Sequence, residues 1–220
     1  MSARREKLIV ALLLQAGIGT TFVVLGRALQ HQHQPDPAWL VTPLDRALPV
    51  IPATVWAYIS WYPAPLLLLW TARGEFRRAA AATALAFVLC ALGYVWLPVS
   101  ITRPSLAGDG VSERMLLLLY AADPPWNLFP SFHAALCTIM CRLVLPSARG
   151  RWIVGLWMAG ICIACVLTKQ HFVLDVLAGL AVGAAASWLV RRVASDAPEL
   201  RPSRAVGLAS APPALPAPPS

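Results

Sequence analysis

Six long apolar stretches, separated by short clusters of charge, leave few folds open to this 220-residue chain. A helix needs about 20 apolar residues to cross the hydrocarbon of a bilayer. The stretches are Leu8 to Leu29, Val50 to Trp70, Ala79 to Leu97, Pro130 to Leu145 (the shortest), Trp152 to Thr168, and Phe172 to Val193. Charged residues make up 13% of the chain and apolar ones 58%; a soluble domain carries about a quarter charged. That excludes an ordinary soluble globule. The expected class is all-α: a polytopic membrane protein with six transmembrane helices over residues 1–194. The remaining segment, 195–220, holds seven prolines among its 26 residues, has nothing to bury, and is expected to be a disordered tail.

A net charge of +8 invites a nucleic-acid reading, but the basic residues follow membrane topology instead. With the N-terminus inside, Arg4, Arg5, Lys7, Arg73, Arg77, Arg78, Arg142, Arg149, Arg151, Arg191, Arg192, Arg201 and Arg204 all fall on inner segments. Only Arg27, Arg46, Arg103, Arg114 and Lys169 fall outside. Positive charge gathers on the cytoplasmic side, so both termini are expected there, with a bacterial-type plasma membrane as the location and no nucleic-acid partner. The first stretch follows a basic segment but exceeds the length of a signal-peptide core, so it reads as an uncleaved signal anchor. The longest outer loop, Val99 to Phe129, carries an apolar piece at Met115 to Ala122 that is too short to span and is expected at the interface.

Ionisable side chains inside spans are costly and mark function by default. Asp175 is the only acid within the six stretches, and His171 stands four residues before it. Residues at i and i+4 share a helix face. The carboxylate can accept the Nδ1–H of the imidazole and leave Nε2 free as a nucleophile; the bland reading is a structural pair that anchors the helix end. At another outer boundary Pro130-Ser131 is a good helix start, with Ser131 as cap. A helix start offers free N–H groups to an anion, and His133 sits in its first turn. Two histidines, one acid and an anion-friendly helix start thus converge on one membrane face. A purely structural histidine would not require that. Arg103, followed by Pro104, and Lys169 are cations beside the same surface, suited to clamp phosphate oxygens; the alternative reading of each, stronger for Lys169 than for Arg103, is a solvated loop charge.

These residues carry a resemblance. Pro130-Ser131-Phe132-His133 resembles the P-S-x-H motif of the type-2 phosphatidic acid phosphatase superfamily, and His171-x-x-x-Asp175, followed by Ala178-Gly179, resembles its last motif. The phrasing is most similar to the inositol phosphorylceramide synthase and sphingomyelin synthase branch. The resemblance implies metal-independent, two-step phosphoryl transfer without a cofactor. His171 would attack phosphorus, Asp175 would orient it and His133 would protonate the leaving alkoxide. A phosphohistidine-type intermediate would pass to water or a polyol acceptor, and the substrate would be a membrane lipid. Arg103, Ser131 and Lys169 would bind it. Two motif cations of the hydrolase form are replaced here, by Trp96 and by Ala164 with Cys165, which favours a lipid phosphotransferase over a plain phosphatase of phosphatidic acid or polyprenyl diphosphate.

Gly179 and Gly183 form a small-x-x-x-small step that either draws the last span toward the fourth or serves generic packing. Cys137, Cys141, Cys162 and Cys165 lie at matching depths, but their apolar surroundings favour packing over zinc. The competing class is a non-catalytic binder or transporter; it would line several spans with polar residues, and the first, third and fifth carry almost none.

Overall fold

The computed structural model describes residues 3–32, 34–64, 66, 69, 71, 73–123, 125–143 and 148–196. Among them run eight α-helices: α1 (Ala3–Leu29), α2 (Pro43–Ala47), α3 (Val55–Ile59), α4 (Arg73–Trp96), α5 (Val111–Ala122), α6 (Phe132–Leu143), α7 (Ala148–Leu167) and α8 (Val173–Asp196). Helices α1, α4, α7 and α8 are long and apolar enough to cross a membrane. Their outward faces expose large apolar side chains, among them Leu13, Val88, Trp152, Leu156, Leu177 and Val193. Lipid accepts such a surface; water does not. The tail expected to be disordered lies, from residue 197 on, outside the described residues.

The second apolar stretch is not one continuous helix, and the fourth, the shortest in the sequence, forms a short helix. Around Val50 the chain makes a 3-10 turn (Pro52–Thr54), then the short α3, then further turns through Pro63. Pro52 and Pro63 lack the N–H that a continuous helix would use. Described residues of this segment still reach both ends of the bundle. Ile51 N–H donates to the carbonyl of Leu167, at the end of α7 (2.9 Å). At the opposite end Lys7, near the start of α1, donates to the carbonyl of Thr71.

Helix α6 has 12 residues, about 18 Å of rise, shorter than a hydrocarbon core of about 30 Å. It can be short because protein surrounds it: nine of its residues, Phe132 to Cys137, Ile139, Met140 and Leu143, are buried. It packs against α4, α7 and α8, and the Arg191 guanidinium donates to the Arg142 carbonyl near its far end (2.7 Å).

Small residues set the spacing around α6. A Cβ on Gly179 would overlap the Ser131 carbonyl oxygen, and one on Gly183 the Ala135 carbonyl oxygen. On α4, the buried Ala79, Ala82, Ala86 and Cys90 recur at helical spacing. Gly93 continues that face; a Cβ there would meet Pro130 Cδ at 2.5 Å. Two-residue strands β1 (Gln34–Pro35) and β2 (Val99–Ser100) pair in parallel, and Val99 also bridges to Asn127. The Asn127 amide donates to the carbonyl of Phe22 on α1. These bonds gather the loops after α1 and α4 over the end of the bundle where α6 and α8 begin.

Candidate active site

The starts of α6 and α8 are joined backbone to backbone: Ser131 N–H donates to the Asp175 carbonyl (3.1 Å). Glycines 179 and 183 permit that approach. Asp45, on α2, accepts from Val173 N–H (2.8 Å) and so caps α8 from outside its own chain segment. Its other oxygen accepts from Thr42 N–H (2.8 Å), and the Thr42 hydroxyl accepts from Asp45 N–H, a reciprocal capping box.

Onto this frame fall the histidines. His171 Nδ1 is 2.8 Å from Asp175 Oδ2. The same oxygen accepts from Phe172 N–H (3.2 Å), so the pair anchors the helix end and fixes the orientation of the imidazole. His171 Nε2 points at His133 Nδ1, 3.1 Å away. Both rings are buried, as is Asp175. A phosphoryl group in line with His171 requires reacting atoms about 3–3.5 Å apart, so the two rings must part to admit it.

Two residues that sequence reasoning missed complete the line. The Tyr58 hydroxyl lies 2.8 Å from His133 Nε2 and 3.1 Å from Asp123 Oδ2. Trp61 and Tyr58 flank the His133 ring, at centroid distances of 4.5 and 4.8 Å. Tyr58, fully buried in an apolar stretch, was a weak signal by itself, since buried tyrosines need some partner. Asp123 is the C-cap of α5, and burial holds its carboxyl above the ordinary carboxylate value, opposed by the Arg103 guanidinium.

The predicted phosphate-binding residues are placed unequally. Ser131 is buried, and its hydroxyl accepts weakly from Ala134 N–H (3.4 Å), as a cap does. Arg103 donates to the carbonyls of Tyr120 and Asp123 (both 2.7 Å) and to the Gln170 side chain, with its guanidinium 4.7 Å from the Tyr120 ring. Its Nε and the Gln170 amide nitrogen are buried donors without a partner among the described residues. Lys169 is turned to structure: its ammonium donates to the carbonyls of Asp45 (3.1 Å) and Leu48 (2.7 Å). Where the hydrolase form of the motifs carries cations, Trp96 is 73% exposed, and Ala164 and Cys165 are buried.

Comparison with protein families matches residues 21–189 to the PAP2 superfamily. The chain belongs to the PAP2 superfamily. The match takes in the starts of α6 and α8 with both histidines and Asp175. Members of the PAP2 superfamily are phosphatases and phosphotransferases. No curated protein matches the chain significantly.

Two cavities reach the histidines of this PAP2 protein from different sides. A cavity of about 390 Å³, lined among others by Asp45, Arg46, Lys169 and His171, opens from the loop end. A narrower one of about 140 Å³ runs beside α1 along Ile18, Phe22 and Trp61, and ends on His133 and Asp123. The first mixes charged and apolar side chains; the second is mostly apolar.

Proposed function

We propose that this protein is a membrane lipid phosphotransferase or phosphatase, closest in chemistry to an inositolphosphotransferase, in which His171 attacks phosphorus and His133 protonates the leaving lipid alcohol. The observation that carries the reading is the line Asp175–His171–His133, bonded at 2.8 and 3.1 Å. The carboxylate fixes the His171 proton on Nδ1, which leaves a lone pair on Nε2, the nitrogen that faces His133.

The two cavities supply the rest. A mostly apolar groove that ends on the acid suits a diacylglycerol-like leaving group, and a cavity that carries Asp45, Arg46 and Lys169 and ends on the nucleophile suits a headgroup and an incoming alcohol or water. Transfer runs through a phosphohistidine, with charge stabilised by the Arg103 guanidinium and the Gln170 amide, whose unpartnered donors an anion would satisfy. Among the described residues no group of three or more His, Cys, Asp or Glu is placed to hold a metal ion, and the proposed steps use none. The chain would cross the membrane six times, twice through the broken second stretch and the buried α6. Both termini would be cytoplasmic and the site would face outward from a bacterial-type plasma membrane.

The test is a screen of purified protein against phosphatidylinositol, phosphatidic acid and a polyprenyl diphosphate, with and without added inositol or diacylglycerol, in EDTA. Release or transfer of the phospho group from at least one donor is expected. Inertness toward all of them, or turnover only after a divalent metal is restored, would contradict the reading.

A further inference from the structure

We infer that Tyr58 and Asp123 form a proton relay behind His133, through which His133 alternates between acid and base by exchanging tautomers. The inference rests on the proposed reaction and goes beyond it: Tyr58 and Asp123 are positioning residues that act through His133.

The hydrogen bonds leave little freedom. With a neutral His171 donating its Nδ1–H to the Asp175 carboxylate, Nε2 of His171 has no proton, and the 3.1 Å bond between the rings then takes its proton from His133 Nδ1. The other edge of His133 faces a hydroxyl with one proton and two neighbours, His133 Nε2 at 2.8 Å and Asp123 Oδ2 at 3.1 Å. If the hydroxyl proton points to His133, the bond to Asp123 needs a proton on the carboxyl. If it points to Asp123, His133 is an imidazolium. The two arrangements contain the same protons and differ only in where they sit. A buried site disfavours a separated imidazolium and carboxylate, and the upward displacement of the Asp123 carboxyl by burial agrees with the neutral form. The other titratable groups around the relay are Arg103, His171 and Tyr94 near Asp123, and Tyr62 and Cys165 near both Tyr58 and Asp123.

The catalytic cycle then balances without a net charge on His133. As the His171 Nε2–P bond forms and the P–O bond to the lipid breaks, Nδ1–H of His133 goes to the departing oxygen. The Tyr58 proton moves to His133 Nε2 and the Asp123 proton moves to Tyr58, which leaves a carboxylate. In the second half, water or an alcohol bonds to phosphorus as the P–N bond breaks and gives its proton to the bare Nδ1. The Nε2 proton returns through Tyr58 to Asp123, and the starting state is restored. The arrangement mirrors the other ring: Asp175 holds a tautomer still, whereas Asp123, acting through a hydroxyl, lets one change.

Full-length protein in detergent, with dioctanoyl phosphatidylinositol and dioctanoyl phosphatidic acid as donors, tests this. Single-turnover release of diacylglycerol is followed in mixtures of H2O and D2O. The wild type is expected to give a curved dependence on deuterium fraction, because several protons move together, and Tyr58→Phe a linear one. Tyr58→Phe and Asp123→Asn should each lower kcat by roughly tenfold or more, within the range of general-acid catalysis, with KM little changed. Release of 4-nitrophenolate from bis(4-nitrophenyl) phosphate, a leaving group that needs no proton, should fall far less. A straight line for the wild type overturns the relay even if neither variant folds, and so does an equal loss on both kinds of leaving group. A wild type inert toward every donor fails at the parent reaction instead and takes the relay with it.

Discussion

A single oxygen, Oδ2 of Asp175, holds both the His171 ring and the start of α8, so its removal acts on chemistry and positioning together. Asp175→Asn keeps the volume but can present an N–H to the ring and favour the wrong tautomer; turnover should fall by about 10²–10⁴-fold and remain measurable. His171→Ala removes the proposed nucleophile and should leave no turnover. Brief reaction with a donor labelled at phosphorus, followed by denaturation, should trap an acid-labile label on the wild type and none on His171→Ala; label retained by that variant would place the nucleophile elsewhere. These residues were legible in the sequence because the cue was local: an i, i+4 spacing and a proline-serine helix start. Tyr58 and Asp123 were not, since they meet His133 across 75 and 65 positions of chain (His133 to Tyr58, Tyr58 to Asp123) and neither belongs to a spaced motif. The cations were only partly legible, for another reason. Sequence shows that a Lys or Arg is near a site but not which acceptor claims it, and here backbone carbonyls claim much of Arg103 and both recorded bonds of Lys169.

Between elements, the distance from α6 to α8 governs whether the histidines meet. Gly183 lies one turn beyond Gly179 and farther from the chemistry, and a methyl group there would overlap the Ala135 carbonyl. Backbone cannot yield as a flexible side chain does, so Gly183→Ala should push the helices apart, lower thermal stability by about 1–3 kcal/mol as overpacking does, and cut turnover by widening the gap between His133 and His171. Gly155 on α7, whose Cβ position is open, is the control: Gly155→Ala should be neutral or slightly stabilising, as Gly to Ala within a helix is. Thermal melts and activity of both variants check the pair, and equal behaviour would remove the close-approach argument. The turn from α7 to α8 is also unusual. Lys169 has φ of 52°, its N–H donates to the Val166 carbonyl and Gln170 N–H to that of Cys165, the pattern of a Schellman end in which Gly is usual. A lysine there carries strain that its two bonds to α2 offset. The sequence pattern marked where α7 ends but could not show that the ammonium ties it to α2. Nor could hydropathy show that the second stretch is broken, because it counts apolar residues and is nearly blind to the missing N–H groups of Pro52 and Pro63.

For the molecule as a whole, the side on which the site opens and the charge it can hold decide the substrate. A cysteine introduced at Asp109, in the long loop before α5, should react with a membrane-impermeant maleimide in intact cells, and a reporter fused after Arg204 should read as cytoplasmic; the reverse pattern would place the site inside. The last expectation concerns the phosphate itself. A monoester carries close to two negative charges near neutral pH, and a diester one. Each charge-assisted contact to phosphate contributes about 1.5–3 kcal/mol, and two motif cations are absent: Trp96 is exposed, and Ala164 and Cys165 carry no charge. Lys169 is bonded to carbonyls, and Asp45 lines the cavity that reaches His171. Arg103, although bonded to carbonyls, keeps an unpartnered Nε. With Asp45 set against Arg46 in that cavity, Arg103 leaves one uncompensated positive charge nearby, which matches a monoanion better than a dianion. Phosphodiester lipids should therefore show higher kcat/KM than phosphatidic acid in the same detergent, and an added polyol should divert the phospho group from water. Restoring a cation by Trp96→Lys should narrow the difference only if the new side chain reaches inward from its exposed position. A preference of tenfold or more for phosphatidic acid, with no capture by alcohol, would make the protein a plain lipid phosphatase that manages with fewer cations than its motifs call for.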